Sequence, residues 1–288
     1  MPSSTDLAPR AAAHLRALCV DIDNRRVASP GNRAATAYYA REAAALGLRV
    51  SCRTFEGLDW REHDARLVAG GEAFPVHASR FSPSCEVRAP LVAAGTIEEL
   101  EAADLRGRVV LLHGAAAAEQ VMPKGFFYFP DHHRRIVEAL AAGEPAAVVA
   151  ASQPGGGDVG AGYPYPLFED GDFAVPSLYL SAEDGERLLA HVGSEVEVRI
   201  VAERLPSAGE QCVARAGARR DRRVVLFAHI DTRPDTPGAT DNAGGVAALL
   251  VLGELLAGYE GDLGVEIVAM NGEDYYGASG ERLFLEEN

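Results

Sequence analysis

Apolar positions recur at helical spacing over residues 7–20. They recur again over 33–46, along Ala34, Ala37, Tyr38 and Ala45. Pro30-Gly31-Asn32 separates the two runs, and Gly47 stands where a helix C-terminal glycine belongs. Residues 49–55 then alternate as a strand does, so the opening reads as helix, helix, glycine, strand, a start for an α/β layer. From about Asp64 to Glu203 the pattern changes to short β-like runs at 65–68, 87–92, 108–112, 146–151, 177–180 and 195–200. Proline and glycine turns separate them, with helical stretches at 134–142 and 182–191. Gly155-Gly156-Gly157 has no basic neighbour and reads as a flexible turn, not a phosphate cradle.

After Pro206 the period changes once more. Residues 223–230 (RVVLFAHI) and 264–270 (GVEIVAM) are short, nearly continuous apolar runs, the pattern of strands buried on both faces. Between them, 242–257 carries Val246, Leu249, Leu250 and Leu256 along one helical side. Strand, helix, strand is a βαβ unit, whose ligands gather beyond the C-terminal ends of the strands. A last helical pattern spans 278–287.

With 288 residues, 48% apolar and 24% charged, the chain has the composition of a globular protein with one large core or two modest ones. The net charge of −15 argues against a nucleic-acid partner, whose phosphates demand a basic face. No run reaches the length of a membrane span, and the first twenty residues lack the continuous apolar stretch of a secretion signal, so a cytoplasmic location is the expectation. Cys19, Cys52, Cys85 and Cys212 show no CxxC pairing and read as free thiols. The pattern says nothing of oligomeric state.

Three polar clusters interrupt the βαβ unit. His229 and Asp231 close the first strand two residues apart, so both side chains point the same way. Asp241 lies in PGATDNAGG at the start of the helix, and Glu273-Asp274 follows the second strand. Taken singly, these are a polar strand end, an N-cap and a solvated acidic loop. Taken together they lie at one end of one unit, and adjacent carboxylates repel unless a cation is shared. Imidazole nitrogen and carboxylate oxygen suit zinc, with one carboxylate left over as general base. His132-His133 diverge by roughly 100° on a helix and read as surface or interface residues. The aromatic run 126–130 reads as core or interface.

The segments AHID, PGATDNAGGVAALL and NGEDYYGASG resemble the co-catalytic zinc aminopeptidases of peptidase family M28, which also contains carboxypeptidase, glutaminyl-cyclase and transferrin-receptor relatives. RVASPGNRAATAYYAREAAALGLRV resembles the family's opening helix. APLVAAGTIEELEAADLRGRVVLLHG and AVPSLYLSAEDGERLLAHVG resemble its protease-associated insert domain. The resemblance implies a three-layer αβα zinc-peptidase core interrupted by a β-rich insert: core 1–63, insert 64–205, metal-site part of the core 206–288. It implies His229 as ligand of one zinc, Asp231 as its support, Asp241 as bridge between two ions, Asp274 as ligand of the other zinc and Glu273 as general base. It also implies that the Asp241–Asn242 bond is cis. Asp274 stands where a glutamate is more usual, one methylene shorter.

The family's further acidic ligand and distal histidine are not found before Asn288, so the core is expected to be C-terminally incomplete and the chain a fragment or truncated product. The implied activity is hydrolysis of N-terminal residues from a peptide substrate, with two zinc ions in the complete protein. The alternatives are a non-catalytic binding module of the same fold, or a single-zinc acyl transferase like the glutaminyl cyclases.

Overall fold

A computed structural model describes residues 4–124, 128–154, 163–219, 221–233, 236–274 and 279–288. The triple-glycine turn and the Phe126-Phe127 part of the aromatic run lie outside the described residues. In chain order come helices α1 (Ser4–Arg16) and α2 (Pro30–Ala45), then strands β1 (Arg49–Ala69), β2 (Glu72–Phe74), β3 (His77–Ala78) and β4 (Cys85–Ala94). Helix α3 (Ile97–Ala102), β5 (Val109–Leu112), α4 (Asp131–Gly143), β6 (Ala147–Ser152), β7 (Ser177–Ser181) and α5 (Ala182–Leu189) follow. The chain continues through β8 (Glu195–Ala216), β9 (Arg223–His229), α6 (Gly244–Leu255), β10 (Gly264–Met270) and α7 (Ser279–Glu286).

The chain divides into two compact units, one made of Met1–Asp59 with Pro206–Asn288, the other of Trp60–Leu205. In the first, the strand order is β1–β8–β10–β9. β10 runs antiparallel to β8 and parallel to β9, with Met270 opposite His229. Side-chain alternation sorts β10 onto two cores. Val265, Ile267 and Ala269 pack with Leu18, Tyr39 of α2 and Val246, Leu249 and Leu250 of α6. Val268 and Met270 face Phe284 of α7. Helices thus cover both faces of a mixed sheet, an α/β architecture. The Tyr39 hydroxyl, fully buried, donates to Ile267 O at 2.7 Å and pins α2 to β10.

In the second unit, β4, β5, β6 and β7 run parallel in that order, and β3 joins antiparallel at β7. Val110, Leu112, Val148 and Ala150 pack against Ile136, Val137 and Leu140 of α4. Phe168 stacks on Phe173 within the same core, ring centroids 4.2 Å apart.

Four expectations change. β10 is buried along its whole length, but β9 is not, since Val224 is 42% and Phe227 67% exposed. The cause is topological: among the described strands β9 pairs only with β10. Pro30 begins α2 instead of breaking the chain, because Ser29 accepts the Asn32 N–H at 3.1 Å and proline fits the first helical position. The runs read separately at 49–55 and 65–68 form one 21-residue strand. Finally, Cys52 and Cys212 are not free thiols. They lie on the neighbouring strands β1 and β8 and form a disulfide across 160 residues of sequence, leaving Cys19 and Cys85 unpaired. Sequence spacing carries no trace of such a pair, because strand order, not chain distance, makes the cysteines neighbours.

Candidate metal centre

The βαβ unit β9–α6–β10 places its polar clusters at one end. Ile230 N–H donates to Met270 O at 2.7 Å, so the parallel ladder runs one residue past His229 and brings the two strand exits side by side. Asp231, wholly buried, then receives the loop beyond β10. One carboxylate oxygen accepts the N–H of Gly272 at 2.8 Å and that of Glu273 at 3.4 Å. The other accepts Asp274 N–H at 2.9 Å. Gly272 turns there at φ 108°, a conformation glycine adopts without strain.

Asp231 therefore holds the backbone that carries Glu273 and Asp274. Its contact with His229 runs through its main chain: His229 Nδ1 lies 3.1 Å from Asp231 O, and the nearer carboxylate oxygen is 3.9 Å away. A carbonyl can only accept, so Nδ1 carries hydrogen. The Nε2 side of the ring faces Asp241 Oδ1 at 2.9 Å and Glu273 Oε2 at 3.8 Å.

Asp241 lies in a turn whose Asp241–Asn242 peptide is cis, as the family pattern implies. Capping of α6 falls to the next residue, Asn242, whose Oδ1 accepts Gly245 N–H at 3.0 Å. The Asp241 carboxylate, mostly exposed, is turned to His229 instead. Asp274 is nearly buried, with Arg233 Nε at 3.8 Å from its Oδ1.

One donor atom each from His229, Asp241 and Asp274 lies within 4.8 Å of the others. Zinc–nitrogen and zinc–oxygen bonds of about 2.0–2.2 Å close such a triangle with a small inward movement. The electrostatics agree. Burial, reinforced by Asp231, pushes Asp274 up to about 6, and burial also raises Glu273 and Asp231. Burial would lower His229, yet Asp231, Asp274, Glu273 and Asp241 together hold it above its ordinary value. The acids crowd around a site short of positive charge, and a divalent cation meets that shortage. The residues present therefore fit a metal ion.

The structure brings together His229, Asp241, Glu273 and Asp274, with Asp231 beneath them. Sequence reasoning passed over the support on the other side. Asn32 and Asn271 exchange a pair of amide hydrogen bonds, Asn32 Nδ2 to Asn271 Oδ1 at 2.9 Å and Asn271 Nδ2 to Asn32 Oδ1 at 3.1 Å. Asn271 N–H also donates to Gln211 Oε1 at 3.0 Å, so the residue before Gly272 is held from α2 and β8. Both asparagines are fully buried in a part of the chain whose turn-like composition suggested solvent. A polar residue in PGN or NGED carries no mark of such burial.

A second cluster occupies the other unit. His132, His133 and Glu119 converge although the histidines are adjacent, because Glu119 reaches between them. His132 Nε2 is 2.5 Å and His133 Nε2 3.2 Å from Glu119 Oε1. His132 is on the surface as expected, but His133 is buried.

Comparisons with known proteins bear on the first unit most directly. Residues 212–287 match the sequence model of Peptidase family M28. No match is found among curated proteins. Among solved structures, the chain is similar to an aminopeptidase from Aneurinibacillus sp. strain AM-1, with TM-score 0.67 and 20% identity over 91% of this chain and 62% of that one. It is similar to a zinc aminopeptidase from Bacillus subtilis, with TM-score 0.68 and 18% identity over 91% and 61%. A Peptidase M28 precursor from Shewanella amazonensis SB2B gives TM-score 0.69 and 18% identity over 98% and 69%. The chain spans about three-fifths of the length of the first two. These likenesses establish a shared fold, and the segment that bears His229, Asp241, Glu273 and Asp274 lies within the match to peptidase family M28.

Proposed function

We propose that this chain carries part of the catalytic centre of a two-zinc aminopeptidase that removes N-terminal residues from peptides. The observation that carries the reading is the orientation of His229: its Nδ1 hydrogen is committed to a carbonyl, so Nε2 is the atom presented to Asp241 and Asp274. His229 would hold one ion and Asp274 the other, with Asp241 between them. Bound there, zinc would supply Lewis-acid polarisation of a scissile carbonyl and acidify a water.

Glu273 would be the general base. It is half exposed, on the same side of His229 as Asp241, with a carboxyl whose proton affinity burial has raised. Oε2 takes a proton as the water attacks and returns it to the departing amine, so acid and base work fall on one group. Asp231 keeps that carboxyl in place through the three N–H groups of the loop.

We read the Trp60–Leu205 unit as a protease-associated-like insert, supported by the family resemblance of its sequence and by its compactness. The Cys52–Cys212 disulfide favours an oxidising compartment over the cytoplasmic one expected from sequence. Among the described residues no helix is long and apolar enough to cross a membrane.

The test is metal content and turnover together. The parent chain should retain zinc through dialysis, and Glu273→Gln should retain it equally while release of an N-terminal residue falls by about 10²–10⁴-fold. Zinc content no higher than in a His229→Ala, Asp241→Ala double variant would overturn the metal centre. Zinc without turnover would favour a non-catalytic module.

A further inference from the structure

Arg25 is among the most deeply buried large side chains of the first unit, at 2% exposure. A guanidinium taken out of water is costly unless its donors are met, so its placement asks what it orders. Its hydrogen bonds reach three separate stretches of chain. Nε donates to Ile230 O at 2.9 Å, the residue between His229 and Asp231. Nη1 donates to Leu18 O at 2.5 Å and to Pro237 O at 2.8 Å. Nη2 donates to Gly238 O at 3.1 Å. The main chain of Arg25 is held as well, its carbonyl accepting from Asn32 Nδ2 at 3.2 Å and from Thr232 N–H at 3.4 Å.

We propose that Arg25 is a positioning residue for the metal centre: its fork clamps the turn at Pro237-Gly238 to the end of β9 and so sets where Asp241 stands relative to His229. The inference rests on the metal-centre reading above and deepens it. Asp241 lies inside a closed turn, because Gly238 O also accepts the N–H of Ala243 at 3.0 Å. The carbonyl that Arg25 grips is therefore the one that closes the loop around Asp241 and Asn242.

Gly238 shows how tightly the turn is pressed onto the clamp. It adopts φ +53°, and a Cβ there would come within 2.2 Å of Thr232 Cγ2, 2.6 Å of Asp241 O and 2.9 Å of Arg25 Nη2. Two of those three atoms are Asp241 itself and the guanidinium. Lysine cannot substitute, since one ammonium cannot serve carbonyls arranged around a planar fork. Arg25 touches neither a reacting group nor a metal ligand side chain in these contacts, so its influence runs through backbone.

The experiment titrates Co(II) into the 288-residue chain carrying Arg25→Lys, Gly238→Ala, or both, and follows amide hydrogen exchange. Gly238→Ala pushes the same turn off the guanidinium without changing the arginine. Each single variant should weaken Co(II) binding by about 10–100-fold. The double variant should be no worse than the poorer single one, since both break one clamp. Exchange should quicken in residues 238–243 while β10 stays as protected as in the parent. Unchanged Co(II) affinity with unchanged exchange would overturn the proposal, as would exchange rising equally through β9, α6 and β10, which marks loss of packing. If the parent binds no Co(II), the metal-centre reading fails and the exchange pattern alone decides whether Arg25 holds the turn.

Discussion

Each unit contains a histidine within reach of carboxylates, and the two differ in what faces the other ring nitrogen. His229 Nδ1 meets a carbonyl, Asp231 O at 3.1 Å. His133 Nδ1 meets a donor, the N–H of Met122 at 3.1 Å. A nitrogen that accepts is unprotonated, so neutral His133 carries its hydrogen on Nε2, the atom nearest Glu119. His229 has the opposite arrangement and can exchange an Nε2 proton for a metal. The partner of the far nitrogen, more than the grouping of donors, separates a metal centre from a hydrogen-bonded cluster.

The protonation balance separates them too. Carboxylates hold His229 above its ordinary value against the pull of burial, whereas burial, followed by the charge of His132, takes His133 below its own. Glu119 is lowered by its hydrogen bond to His132. Glu119 is already met by the hydrogen bond from His132, while the acids around His229 are raised by burial.

The contrast can be broken most directly by metal. His229→Ala should abolish retention of zinc, and His133→Ala should leave it unchanged; loss of zinc from the His133 variant would reverse the assignment. Next in size is stability. Asp231→Ala strands the N–H groups of Gly272, Glu273 and Asp274 in a buried place, at a cost of about 3–5 kcal/mol in urea unfolding. Glu119→Gln, at a half-exposed pair, should cost no more than about 1 kcal/mol by the same measurement.

Reduction of Cys52–Cys212 should lower the stability of the first unit by about 2–4 kcal/mol and leave the second unit's transition in place. Two transitions that fall together would show that the units do not unfold separately. The smallest effect is spectroscopic. In ¹⁵N-resolved spectra at neutral pH, His133 should show a bare Nδ1 and a protonated Nε2. Because its folded value is lowered, the stability it contributes is present above the unfolded value of 6.5 and is lost as pH falls below it. A protonated Nδ1 at neutral pH would make His133 equivalent to His229 in its tautomer and overturn the contrast between them.

Much of the first unit was legible from residues alone. Continuous apolar runs flanking an amphipathic stretch announce a βαβ unit, and polar residues just past both runs mark its ligand end. His229, Asp241, Glu273 and Asp274 were found that way and do converge. The disulfide was not, because it depends on which strands are neighbours. The helix capped by Ser29 was misplaced by three residues at its start, since Pro30 serves equally as a breaker and as a first helical residue.

The Glu119–His132–His133 grouping shows the limit in the opposite sense. Adjacent helical side chains diverge, and that rule still holds for the two rings, which meet edge to face at 4.3 Å between centroids. A residue a dozen positions earlier bridges them, and no helical periodicity contains it.

What the sequence determined by itself is the kind of chemistry and its address: acids and one imidazole at the C-terminal end of a βαβ unit, because periodicity and residue type are local properties. What only the tertiary structure decided is the wiring: Asp231 beneath the Glu273 loop, Asn32 paired with Asn271, and Arg25 under the Asp241 turn. Those bonds join residues some 40 to 240 positions apart, and their donors are meaningful only once burial has removed water as a partner.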